Sequence, residues 1–347
     1  MAAGEEAAGG APSATGTSAG ASGAAGEVAA EPTGGAGGVP GADGGDLLFD
    51  APGSGARAEG DLFRSSTGLV WMYRLGEKSF IATGAVPGGE RVDLIESDEP
   101  ITAFNVGSTI AYQTGTKLFS HALSTTPLTP VELEDAPSCV ALASAAGNVY
   151  CRSADGSIVR WADSGGTGTV LATGVPVGPD LVADAAPVNP MSRKLYFCED
   201  AGAVSSIPLG GVGGGVPMAP QYFQINKQES SPRGLRVGVP GDDVLYWINV
   251  PDGAPARVRG SAKTTPPVSS AGPSLENTHV FAPYSWSAGA IIAIELADDS
   301  AEIAFVRFGQ SFITPHFKSK NGVVALAAEL GHYYWLDRSA RVFTGEP

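Results

Sequence analysis

Leu245-Tyr246-Trp247-Ile248-Asn249 and, further along, Tyr333-Tyr334-Trp335-Leu336-Asp337 are two copies of one short pattern, an apolar strand built on adjacent aromatics and closed by Asn or Asp. Looser copies stand at Val70-Trp71, Ala111-Tyr112, Val149-Tyr150, Leu195-Tyr196-Phe197 and, most degraded, Ile291-Ile292. Aligning Trp71, Tyr112, Tyr150, Tyr196, Tyr246, Ile292 and Tyr334 gives successive spacings of 41, 38, 46, 50, 46 and 42 residues. A period of roughly 40–50 residues belongs to four-stranded blades stacked in a ring. The expected fold is therefore all-β: a single β-propeller of seven blades, each of four antiparallel strands.

The segments between the copies agree with this reading. From Gly60 onward, turn residues recur every 8 to 12 positions, and no stretch carries the i, i+3, i+4, i+7 apolar pattern of a helix. In the third repeat the predicted strands are 139–143, 148–152, 157–161 and 169–172, and the aromatics are expected to fill the gaps between stacked sheets. The last repeat supplies strands at 323–328, 332–336 and 340–344 and then reaches Pro347. Its missing fourth strand is expected from the other end of the chain, because an unpaired edge invites aggregation. Asp46 to Asp50 and Gly60 to Arg64 are the candidates, the former preferred.

Tyr334-Trp335-Leu336-Asp337 resembles the Tyr-Trp-Thr-Asp motif of the low-density-lipoprotein-receptor type of propeller, and Tyr246-Trp247-Ile248-Asn249 is similar to it more weakly. Elsewhere, Tyr150-Cys151-Arg152 and Tyr196-Phe197-Cys198-Glu199 keep the aromatic and lose the Asp. That family is usually six-bladed, so six blades is the alternative count. The resemblance implies a secreted or surface-exposed scaffold that binds through one face; it does not imply catalysis.

Composition bounds the organisation and the partners. The chain has 347 residues, 43% of them hydrophobic, enough for a large core. Residues 1–45 hold neither aromatics nor basic residues, and so cannot offset the roughly 1–2 kcal/mol per residue that ordering a backbone costs. They are expected to be a disordered tether ahead of a propeller domain at 46–347. A net charge of -15 and a pI near 4.6, with no basic run, argue against nucleic acid and anionic membranes. No apolar run is long enough to span a bilayer, so no transmembrane segment is expected. The first residues lack a signal-peptide core, which taken as they stand means a cytoplasmic protein. Ala/Gly/Ser/Thr tails of this kind, however, tether exported domains behind a cleaved signal or a lipidated cysteine. The favoured reading is extracytoplasmic, periplasmic or cell-surface.

Chemistry-bearing motifs are few. Cys139 and Cys151 flank a hairpin centred on Ala145, where cross-strand Cβ atoms lie about 4.5–5.5 Å apart, so they form either a disulfide or two separately buried thiols. Cys198 is left over as a core residue. Gly16-Thr17-Ser18-Ala19-Gly20 matches a nucleophile elbow but lies in the low-complexity tail. Gly210 to Gly215 lacks the helix and Lys that a phosphate loop needs. His121, His279, His316 and His332 show no ligand spacing, and no metal is expected. Ser153-Ala154-Asp155-Gly156-Ser157 resembles the structural Asp-box of sialidase-like propellers, with Asp155-Gly156 read as a two-residue hairpin turn. The loop acids Asp242-Asp243 and Asp298-Asp299 are candidates for calcium against a simpler reading as solvated charges. No cofactor is predicted and no catalytic residue can be named. The expectation is a monomeric, non-catalytic scaffold that binds a protein or small ligand on one face; the alternative is a propeller-type hydrolase or lyase with residues converging on the central channel.

Overall fold

The computed structural model describes residues 44–346, save for 177, 185–192, 200–201, 210–220, 226–231, 239–243, 251–254, 264–268, 276, 285–288, 309–312 and 330. The tail, the nucleophile-elbow match, the Gly210–Gly215 run and Asp242-Asp243 lie outside the described residues. A first short strand, β1 (Asp46–Phe49), precedes the blades. Blade 1 is β2 (Arg57–Ser65), β3 (Gly68–Leu75), β4 (Lys78–Gly84) and β5 (Arg91–Ser97); blade 2 is β6 (Ile101–Val106), β7 (Thr109–Thr114), β8 (Lys117–Ala122) and β9 (Val131–Leu133). Blade 3 is β10 (Cys139–Ala145), β11 (Asn148–Ser153), β12 (Ile158–Ala162) and β13 (Thr169–Ala172); blade 4 is β14 (Val182–Asp184), β15 (Lys194–Cys198), β16 (Ala203–Pro208) and β17 (Gln221–Ile225). Blade 5 is β18 (Pro232–Val237), β19 (Val244–Asn249), β20 (Ala256–Ala262) and β21 (Ser269–Leu275); blade 6 is β22 (Thr278–Tyr284), β23 (Gly289–Glu295), β24 (Ala301–Arg307) and β25 (Ile313–Ser319). Blade 7 is β26 (Ala325–Glu329), β27 (His332–Leu336) and β28 (Val342–Gly345), completed by β1.

The protein is thus a seven-bladed propeller with four antiparallel strands per blade, and no helix occurs among the described residues. All seven residues aligned from the sequence fall on the second strand of a blade. The reason is burial. Second strands are covered on both faces by neighbouring blades, and β7, β11 and β19 are buried almost end to end. Such strands read as continuous apolar runs rather than alternating ones. Among the described residues, seven apolar clusters each join two successive blades, so the core is divided among the gaps of the ring.

Ring closure uses the preferred candidate. β1 pairs antiparallel with β28, as Asp46 with Thr344 and Leu47 with Phe343, whereas residues 60–64 belong to the inner strand β2. Phe49 anchors the closure: its ring stacks on Trp71 of blade 1 with centroids 5.1 Å apart, and it occupies the space that a Cβ on Gly84 would need. One strand therefore ties blade 7 to blade 1.

Two turns differ from expectation. The Cys139–Cys151 hairpin turns at Ala146-Gly147, not around Ala145, with both residues at positive φ (50° and 73°), the mirror-image turn whose twist matches the flanking strands. Asp155-Gly156 belongs to a three-residue loop in which only Gly156 has positive φ, since Ser153 accepts from the Gly156 N–H and donates to the Ser157 carbonyl.

Candidate functional site

The top face is defined by the loops joining second to third strands and each outer strand to the next blade. Four blades share the same pair of backbone bonds in the first kind of loop. In 153–157, 199–203, 296–300 and 337–341 the first residue donates its N–H to the carbonyl of the fifth and accepts from the N–H of the fourth. The fourth position has positive φ in each: Gly156 (82°), Gly202 (91°), Asp299 (63°) and Ala340 (60°). Side-chain acids lock these loops from within. Asp155 accepts from the Ser157 N–H (2.9 Å) and the Ser153 hydroxyl (2.5 Å), and these bonds lower its pKa. Asp298 accepts from the Ser300 hydroxyl and N–H and from Lys318 (3.3 Å), which bring its pKa down to about 2. Asp337, fully buried, takes the N–H groups of Ser339 and Arg341 and a two-pronged contact from the Arg341 guanidinium at 2.9 and 2.7 Å.

Between blades 3, 4 and 5 the top face opens into a cleft of about 400 Å³, lined by Val140, Arg152, Ser153, Ala154, Gly156, Val175, Gly178, Pro179 and Arg233. Its geometry comes from irregular inner strands. The register of β10 against β11 shifts between Cys139 and Ala141, and that of β18 against β19 between Arg233 and Arg236; such bulges re-aim side chains at a rim. Val140 is left 46% exposed although its strand is otherwise buried. Arg152 forms the floor. Its guanidinium donates to the carbonyls of Cys198 (2.7 Å), Asp180 (3.1 Å) and Pro176, and lies over the Phe197 ring at 5.1 Å, fastening the 173–181 loop to blade 4.

Beside the cleft the channel is crossed by charge. Arg236 of blade 5 reaches Asp61 of blade 1 at 2.6 Å, joining two blades that are not neighbours in the ring. Asp180, half-buried, accepts from the Gly234 N–H (3.0 Å); desolvation raises its carboxyl pKa and Asp61 adds to this, against the pull of Arg236 and the Leu235 and Gly234 N–H groups. Cys198 lies below, its thiol pKa pushed well up by burial and by Asp180. On the opposite side, Arg64 pairs with Glu329 at 2.6 Å, and the Tyr334 hydroxyl also donates to Glu329. Burial opposes ionisation of Glu329, but those two partners prevail and its pKa is lowered.

The motif residues singled out in the sequence do not converge. Cys139 and Cys151 are joined by a disulfide, with Cα atoms 5.5 Å apart, although the register places Cys139 opposite Ser153 and Cys151 opposite Leu142. Cys198 is a buried free thiol at the end of β15. His121 is buried against the Ala122 and Leu128 carbonyls, His316 packs edge-on to Tyr333, and His332 stacks near Tyr334. His279 lies on the inner strand β22 at its register shift. No group of three or more possible metal ligands occurs among the described residues. The residues the sequence reading missed, Asp61 on the inner strand of blade 1, Asp180 on the loop into blade 4, and Arg233 and Arg236 on the inner strand of blade 5, come from three distant stretches of the chain and carry no local motif.

No known family model matches the chain, and no curated protein matches it. Solved structures do match in fold. Virginiamycin B lyase from Staphylococcus aureus, in a catalytically inactive form with quinupristin, aligns at TM-score 0.62 and 11% identity over 86% of this chain and 98% of the other. YCF48 bound to D1 peptide aligns at 0.57 and 11% identity over 87% and 96%, and the WD40 propeller domain of Doa1 at 0.52 and 11% over 87% and 96%. At this identity the likeness shows the propeller fold alone.

Proposed function

We propose that this protein is a non-catalytic binding propeller, acting outside the cytoplasm, which takes a protein segment at the top-face cleft between blades 3, 4 and 5. The observation that carries the reading is the cleft itself: a concave site of about 400 Å³ whose walls include the exposed Val140, with Val175 and Pro179, set beside the exposed guanidinium of Arg233. Recognition sites are mostly apolar with a few placed polar groups, and they gather on loops held by a rigid frame. The internally bonded loop 153–157 of blade 3, which lines the cleft, supplies part of that frame. One protein of similar fold, YCF48, binds the D1 peptide, which agrees with a propeller serving this purpose.

The rival reading, a propeller-type lyase or hydrolase, asks for acids with freedom to act at the channel. Asp61 and Asp180 do converge there, but Asp61 is committed to Arg236 and Asp180 to the Gly234 N–H. The Cys139–Cys151 bond supports an extracytoplasmic setting, since disulfides persist in oxidising compartments. The Tyr334-Trp335-Leu336-Asp337 pattern, similar to the lipoprotein-receptor propellers, points the same way. The test is retention of a random peptide library on immobilised protein. A Val140→Arg variant, placing charge in the apolar wall, is expected to lose most of the retained peptides; equal retention by both proteins would place binding elsewhere.

A further inference from the structure

Resting on that reading, we propose that the cleft selects a partner segment in which an Asp or Glu side chain adjoins an apolar residue, the carboxylate docking on Arg233 and the apolar group between Val140, Val175 and Pro179. Arg233 stands exposed on the inner strand of blade 5, and its side chain makes no hydrogen bond or ion pair among the described residues. The arginines nearby are engaged: Arg236 with Asp61 and Arg152 with three carbonyls. The acids nearest the cleft are turned elsewhere, Asp180 to the Gly234 N–H and Asp155 into its own loop. A chain of net charge -15 therefore presents a cation beside an apolar wall, the reverse of its average surface. A planar guanidinium takes a carboxylate by two parallel hydrogen bonds, a contact stronger and more directional than any neutral pair.

The volume argues for side chains rather than a whole folded ligand. About 400 Å³ lies near the lower end of ligand pockets and holds one apolar side chain with its acidic neighbour. The remainder of a partner then rests on the surrounding loops. Gly178 closes the cleft towards blade 4, since a Cβ there would collide with the Cys198 carbonyl oxygen. The Asp61–Arg236 pair crosses the channel alongside.

Two libraries of peptides blocked at both ends, acetyl-X-X-Leu-Glu-X-X-amide and its Leu-Gln counterpart, passed over the immobilised full-length protein, test this directly. The Glu library is expected to be enriched about tenfold or more over the Gln library, as the loss of a charge-assisted hydrogen bond implies. Arg233→Gln should bring that ratio to about one and Arg233→Lys to an intermediate value, with thermal melts unchanged in both because the side chain is exposed. An unchanged ratio in Arg233→Gln overturns the proposal, as does enrichment equal to that of the Glu library in a third library, Leu-Gln peptides left with a free terminal carboxylate. If the unmodified protein retains both libraries equally and Val140→Arg releases both, the carboxylate inference falls while the top-face reading stands. Retention of neither library overturns both.

Discussion

Replacing Phe49 by Ala removes the ring that fastens the closing strand to blade 1. Phe49 is only 3% exposed, stacks on Trp71 at 5.1 Å, and fills the space left by Gly84. Truncating a buried Phe costs about 3–5 kcal/mol through lost transfer energy and the cavity left behind, of which about 0.5–1.5 kcal/mol is the aromatic pair. The same strand contains its own control. Leu47 is 50% exposed, and Leu47→Ala is expected to change stability by less than about 0.5 kcal/mol. Urea titration followed by tryptophan fluorescence measures both, with Trp71 reporting on the gap that opens. A shallower transition in Phe49→Ala would further indicate that blade 7 detaches before the rest. If the two variants differed by less than about 1 kcal/mol, β1 would not be holding the ring, and the packing argument would fail.

Other parts of the ring yield expectations of the same kind. Trp335, 2% exposed and stacked between Phe317 and Phe343 at 5.5 Å from each, and Trp247, 4% exposed, should each cost about 3–5 kcal/mol on truncation to Ala; a melting curve matching the parent would contradict their place between blades. Thiol titration should find no reactive group in the native protein, one in denaturant, and three after reduction, as a Cys139–Cys151 bond with a buried Cys198 requires; three thiols in denaturant alone would refute the bond. Asp180 has a raised pKa, so its ionised form is disfavoured in the folded state, and the relative stability it confers at low pH is lost as pH rises through the folded value. Asp180→Asn should therefore match or exceed the parent at pH 7, with the advantage shrinking in acid; an advantage that grows in acid would reverse the argument.

How much of this the sequence revealed depends on how many neighbours cover a residue. Trp71, Tyr150, Tyr246 and Tyr334 are enclosed on both faces of their sheets, so their positions demand large apolar side chains and the period shows through. Outer strands such as β9 and β13 are short and half exposed, with Val131 and Val170 at 38%, and composition constrains them little. The closing strand was legible because the last repeat had three strands and needed a fourth. The loop geometry shared by 153–157, 199–203, 296–300 and 337–341 was not legible, since Gly, Gly, Asp and Ala occupy its positive-φ position. Charge across the channel was hidden for another reason: Asp61, Asp180 and Arg236 lie far apart along the chain and meet only because the ring closes.

The claim that binding belongs to the top-face cleft is tested most directly by methyl NMR of the valine-labelled protein, titrated with the blocked Leu-Glu peptides. The expected result is saturable shifts at Val140 and Val175, which line the cleft, with Val131 and Val170 on the outer strands of blades 2 and 3 unchanged. Shifts confined to Val131 and Val170, or no saturable shift at Val140, would contradict the account.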